Sequence, residues 1–176
     1  LCHGCSVSSD RWVVIRSVGL YASPLSSAIQ QLKYGGVMAI AEPLGQLLAD
    51  YWQARVLAMD LVVPVPLHGR RLRERGFNQA RLLATAFCYR AGLPLVHEGM
   101  LRRDRDTPQQ VRLGPEERRH NVSGAFAWHG PPLAGARVVL SDDVVTTGAT
   151  LAACAQALRE AGARRVWALT VARAIS

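Results

Sequence analysis

The run Val138-Val139-Leu140-Ser141-Asp142-Asp143-Val144-Val145-Thr146-Thr147-Gly148-Ala149-Thr150 constrains the fold more than any other stretch of the chain. Its apolar start has the length and β-branched content of a buried strand, and the Ala- and Leu-rich segment Leu151 to Glu160 that follows is a predicted helix. The residues between them are therefore a strand-to-helix turn. At such a turn the first amides of the helix lack intrahelical acceptors and the helix dipole favours negative charge, so a phosphate can dock there. Gly148 lets the backbone come close, and Thr146, Thr147 and Thr150 add hydroxyl donors. Asp142 and Asp143, at the strand's carboxyl end, can accept from two neighbouring ribose hydroxyls. Helix capping alone explains the residue types but not their ordered string.

Strand and helix signals alternate along the rest of the chain. Trp12 to Tyr21 alternates apolar and polar residues as one or two strands, and Ser23-Pro24 has the Ser-cap, Pro-first signature of a helix running through Leu32 to Gly35-Gly36. A longer helical pattern covers Val37 to Leu57, with Leu44, Leu47, Leu48 and Tyr51 on one face and Pro43 as a kink. Leu61 to Leu67 is a buried strand whose end turns at Pro64 and Pro66. An Arg-rich loop, a helix from Asn78 to Tyr89 and a short strand over Leu95 to Leu101 follow, and strands recur at Arg137 to Asp142 and Arg165 to Ala172. This order predicts an α/β fold with a mostly parallel sheet and helices on both faces, with ligands at the carboxyl ends of the strands.

The chain has 176 residues, 49% of them hydrophobic, which suits one domain with a real core. No apolar stretch is long and charge-free enough to span a bilayer, and the start lacks the order of a signal peptide, so a soluble, cytoplasmic protein without membrane insertion is expected. The net charge of +8 is concentrated at Arg70 to Arg81, Arg102 to Arg105 and Arg112 to Arg119. Such clusters face solvent or an anionic partner, either a pyrophosphate group or nucleic acid.

A second segment, Val63-Pro64-Val65-Pro66-Leu67-His68-Gly69-Arg70-Arg71-Leu72-Arg73-Glu74-Arg75-Gly76-Phe77-Asn78-Gln79, reads as a polyanion-binding loop. Arg71 and Arg75 offer forked donors to pyrophosphate oxygens, Gly76 can take a φ closed to other residues, and Asn78 can cap the next helix. A third segment carries Leu101-Arg102-Arg103, Thr107, Gln110, Leu113, Arg118 and then Asn121-Val122-Ser123-Gly124-Ala125-Phe126. Its Gly114, Pro115 and charge content suit a segment that orders on ligand binding.

The first string resembles the phosphoribosyl-pyrophosphate (PRPP) signature of the phosphoribosyltransferases: apolar residues, two acids, a short spacer, then Thr-Thr-Gly-x-Thr. All three strings together, in this order, resemble the ComF family, phosphoribosyltransferase-like proteins linked to competence for DNA uptake. That resemblance implies a type I phosphoribosyltransferase fold, with a small N-terminal hood over residues 1–60 and the core over 61–176. It implies that Asp142 and Asp143 bind the ribose 2- and 3-hydroxyls as the catalytic pair, and that Val145, Thr146, Thr147, Gly148, Ala149 and Thr150 hold the 5-phosphate. Arg71, Arg75 and Gly76 would bind pyrophosphate, and Arg103, Thr107, Gln110, Arg118 and Asn121 would belong to a flexible lid. Lys33-Tyr34-Gly35 also matches a Lys-Tyr element of ComF proteins, but a lysine ending a helix favours the dipole whatever its function, and that is the role assigned to Lys33 here.

Cys2-His3-Gly4-Cys5 has the spacing of one knuckle of a zinc site, which needs four ligands. ComF proteins often carry a second Cys-x-x-Cys just upstream, and this chain starts at Leu1. Cys2 and Cys5 are therefore expected to be a partial zinc-ribbon remnant of a truncated chain, binding Zn2+ only if the upstream ligands are present. Cys88 and Cys154 sit in helical patterns as buried free thiols. The enzymatic expectation is a Mg2+-dependent transfer in which a nucleophile attacks C1 of PRPP, or binding of another phosphorylated ribose. The alternative is a non-catalytic module that holds single-stranded DNA or a competence helicase. A zinc-dependent structural protein is a third reading, against which the missing ligands argue.

Overall fold

Val138, Val139 and Leu140 are all fully buried, because the strand they belong to lies in the middle of a sheet covered on both faces. The computed structural model describes residues 13–55, 58–104 and 124–175. In chain order the elements are β1 (Val13–Leu20), α1 (Leu25–Tyr34), a 3-10 turn (Met38–Ile40), α2 (Ala41–Gln53), β2 (Leu61–Pro64) and α3 (Gly69–Arg75). They continue with α4 (Gln79–Ala91), β3 (Leu101–Arg103), β4 (Phe126–Trp128), β5 (Arg137–Val145), α5 (Ala149–Glu160) and β6 (Arg165–Arg173).

The central sheet has the order β1-β6-β5-β2, with every pairing parallel. Val62 of β2 also forms a parallel bridge to Leu95 on its outer side. The chain therefore leaves β2 outward, through α3 and α4 to Leu95, and leaves β5 the other way, through α5 to β6. Between β2 and β5 the direction of winding reverses, and a crevice opens at the carboxyl ends of such neighbours.

Each face of the sheet has its own apolar layer. On one side α1, α2 and α4 cover Val62, Val139, Leu169 and Val171. On the other, α5 and the antiparallel pair β3–β4 cover Val63, Val138, Leu140, Val166 and Ala168. The stripe Leu151, Cys154, Ala155 and Leu158 of α5 follows helical spacing. Gly45 lets α2 approach α4 so closely that a Cβ there would lie 2.4 Å from Ala86 Cβ. Fully buried Phe87 meets Trp52 edge-on at 6.3 Å between ring centroids, and a side chain of that size contributes roughly 1.5–3 kcal/mol when buried.

The sequence expectations hold for the alternation of elements and need correction in detail. The Arg-rich loop is the helix α3: His68 Nδ1 accepts from the Arg70 amide, Gly76 ends the helix at φ 80°, and Arg70 pairs with Glu74 one turn on. Helix α1 starts at Leu25 after Pro24, without a capping bond from Ser23. The pattern over Val37 to Leu57 divides into the 3-10 turn and α2, where Pro43 occupies the first turn and displaces no intrahelical bond. Leu47 points outward at 39% exposure; the buried stripe of α2 is Ala41, Leu44, Gly45, Leu48, Ala49 and Trp52. The strand expected at Leu95 to Leu101 is a single bridge at Leu95 and the start of β3.

Candidate functional site

The turn from β5 into α5 lies at the carboxyl edge, beside the crevice. Gly148 is the N-cap of α5 at φ 82°, a left-handed conformation that suits glycine, and no side chain caps the helix there. Thr147 Oγ1 reaches the Ala149 amide only at 3.4 Å, at the weak limit of a hydrogen bond. Helix α4 is different: its Asn78 Oδ1 accepts from the Ala80 amide at 3.0 Å. The two acids do not cap α5 either, since Asp142 Oδ1 accepts from the Asp143 amide and Asp143 Oδ1 from the Val144 amide. The first turn of α5 thus presents amides and the dipole's positive end, with Thr146, Thr147 and Thr150 exposed around it. Val145 ends β5 with its side chain in the core and its carbonyl accepting from Ala174, so it anchors the turn from beneath.

Asp142 and Asp143 lie inside β5, where successive side chains leave on opposite faces. Asp143 is buried on the α1 side. Asp142 is half-buried on the α5 side, beside Thr170 of β6 and near Cys154. Loss of solvation, followed by the Asp143 carboxylate, raises Asp142 well above the usual carboxylate range; the Asp143 amide and Lys33 act against this. Burial, then the charge of Asp142, likewise pushes the Cys154 thiol up.

Across the crevice, α3 continues from β2. Arg71 and Arg75 are one helical turn apart, Arg71 exposed and Arg75 half-buried. Arg75 donates to Gln79 Oε1, and its guanidinium lies 5.3 Å from the centre of the Tyr34 ring. Gly76 has open space where a Cβ would stand, so its φ of 80° and not crowding calls for glycine. Asn78 also donates to the Val65 carbonyl at 3.0 Å, tying this segment to the end of β2.

Sequence reasoning gave Lys33 only a helix-end role, yet its ammonium lies 2.6 Å from Asp143 Oδ2, with side-chain exposures of 19% and 4%. The match to a Lys-Tyr element was the available signal; the fold that brings α1 against β5 was not visible in it. Of the expected lid, Arg103 ends β3, pairs with Phe126 and lies over its ring at 5.8 Å. The Asp104 amide donates to the Ala125 carbonyl at 2.9 Å, so β3 and β4 form a closed stem. Thr107, Gln110, Arg118 and Asn121, like Cys2, His3 and Cys5, lie outside the described residues. Among the described residues no group of three or more His, Cys, Asp or Glu could hold a metal ion, and no helix is long and apolar enough to cross a membrane.

No family model matches the chain. It is 36% identical over 175 residues to the DNA utilization protein YhgH of Salmonella typhimurium, covering 96% of this chain and 76% of that protein. It is 32% identical over 180 residues to Competence protein F of Haemophilus influenzae, covering 98% of this chain and 78% of that protein. Competence protein ComFC of Bacillus subtilis is 33% identical over 151 residues, 84% of this chain and 58% of that protein.

Proposed function

Because the chain belongs to the ComF family, we propose that its carboxyl-edge crevice binds a phosphorylated ribose, PRPP or ribose 5-phosphate, on a type I phosphoribosyltransferase fold. The observation that carries this reading is the meeting of three unlike features at one crevice: an uncapped helix start, the acids of β5 and the arginines of α3. A phosphate, a vicinal diol and a pyrophosphate need these features in turn.

In this reading the α5 amides and the hydroxyls of Thr146, Thr147 and Thr150 hold the 5-phosphate, and Asp143 and Asp142 accept from the ribose hydroxyls. Arg71 and Arg75 take the pyrophosphate. The protein contributes position and charge neutralisation while a nucleophile attacks C1 and pyrophosphate departs. Asp143 already has a cation on Oδ2, and the described residues build no metal cage. Mg2+ would arrive with the ligand, held mainly by pyrophosphate, ribose hydroxyls and water, and Asp142 would be the nearby protein oxygen. The chemistry it would supply there is neutralisation of charge on the leaving group.

Calorimetric titration of PRPP with and without Mg2+, against Asp142→Ala/Asp143→Ala, tests the reading. Binding that needs Mg2+ and is lost in the variant supports it; no binding by the folded parent refutes it. The DNA- and helicase-binding alternative draws on the exposed Arg70, Arg71 and Arg73 of α3 and on relatives named for competence and DNA utilization. Salt-dependent affinity for single-stranded DNA without PRPP binding would favour it.

A further inference from the structure

Two residues at the end of α1 touch both halves of the crevice. Lys33 meets Asp143 of β5 and Tyr34 lies against Arg75 of α3. Helix α1 is fixed on the sheet by Ile29 and Leu32, both fully buried, so its last turn is held in place. Neither Lys33 nor Tyr34 lies in the strings that specify the acids, the phosphate turn or the arginines.

We infer that Lys33 is a positioning residue of the crevice, which holds the Asp143 carboxylate for a sugar diol and adds a cation for the sugar's anionic group. The inference rests on the phosphoribosyl reading and extends it to a residue of the N-terminal segment. Asp143 Oδ1 accepts from the Val144 amide and Oδ2 receives Lys33. Oδ2 is closed to solvent with Lys33 on it, so a hydroxyl is left to Oδ1, which has about one acceptor site beyond the one the Val144 amide uses. Lys33 therefore need not leave for a ribose to bind; its ammonium has three donors and Asp143 engages it at one oxygen. A buried ion pair adds little net stability over apolar residues of similar size. Its location on the acid beside the phosphate turn is better explained by the ligand than by the fold. The preferred ligand is a sugar with both hydroxyls and phosphate, in contrast to a bare polyanion.

The test is calorimetry of ribose 5-phosphate and of pyrophosphate with the parent, Lys33→Met, Lys33→Arg, Asp143→Asn and the double variant Lys33→Met/Asp143→Asn. Circular dichroism establishes that each is folded. Lys33→Met should weaken ribose 5-phosphate binding about tenfold or more while pyrophosphate binding stays within about twofold, and Lys33→Arg should recover part of the loss. In the Asp143→Asn background, Lys33→Met should add little, because the partner it positions is gone. That double variant leaves no buried charge unpaired and keeps the cycle informative if Lys33→Met alone does not fold, with Lys33→Arg against the parent then carrying the comparison. Equal ribose 5-phosphate affinity in the parent and the neutral variants would overturn the inference, as would an equal loss for both ligands, which would mark a general positive field. A folded parent that binds no ribose 5-phosphate would overturn the phosphoribosyl reading itself and this inference with it.

Discussion

Replacing Gly148 by alanine perturbs the phosphate turn at one point. The backbone there has φ 82°, and placing an L-residue in that region costs roughly 1–2 kcal/mol. The added Cβ would also lie 2.9 Å from Ile15 Cδ1, but that methyl ends a flexible side chain and can shift. The stability loss should therefore stay near the backbone figure, a fall in Tm of about 2–8 °C for a chain of this size. If the α5 amides hold a phosphate, the variant should lose about tenfold or more in ribose 5-phosphate affinity. Gly45→Ala is the control. It gains about 1 kcal/mol in helix propensity, yet its Cβ would stand 2.4 Å from Ala86 Cβ and 3.0 Å from the Phe87 nitrogen, which cannot rotate away. Overpacking of about 1–3 kcal/mol should cancel or outweigh that gain, with ligand affinity unchanged. Denaturant melts and calorimetry on both variants decide the matter. A Gly148→Ala protein with parental stability and affinity would refute the argument, and so would an equal affinity loss in Gly45→Ala.

Arg75→Ala should weaken pyrophosphate binding by about 10- to 150-fold, since a charge-assisted contact is worth ~1.5 to 3 kcal/mol; unchanged calorimetry would remove Arg75 from the site. At the opposite edge of the sheet, the Arg137 side chain and amide hold Asp60 down from 3.8 to about 2. A lowered folded pKa stabilises above the unfolded value and is lost as pH falls, so the Tm difference between the parent and Asp60→Asn should shrink from pH 4 to about 2. A difference that stays constant over that range would contradict the assignment. Burial pushes the Cys88 thiol up to about 12 and raises Cys154 as well. In a Cys2→Ser/Cys5→Ser background, a thiol reagent at pH 8 should label neither until denaturant is added; rapid labelling of the folded protein would show that one is accessible.

The apolar runs at Val138 to Leu140 and Val166 to Ala168 made the central strands legible, because residues buried on both faces leave an unbroken hydrophobic signature. The glycine turn at Gly148 and the Asn78 cap were legible for a similar reason: few residue types suit those backbone positions. Helix α3 was not, since Leu72 is its only apolar residue and its ends are set by His68 and Gly76 and not by a buried stripe. Leu47 misled because one leucine on the solvent side cannot be told from its buried neighbours without knowing what covers the helix. Lys33 is the clearest case. Its partner lies on a strand far along the chain, and only the packing of α1 onto the sheet brings the charges together.

The divergence of Asp142 and Asp143 onto opposite faces makes the length of β5 a fixed quantity. Deleting one residue between Val138 and the acids would exchange the faces on which the acids emerge or, where the acids keep their faces, turn the apolar side chains before them over. Deleting two would keep the faces but draw the acids back by about 6.6 Å along the strand, away from the end of α1. Among related chains, insertions can therefore gather in the loops, while the spacing from the first buried valine of β5 to Gly148 has to be kept to the residue.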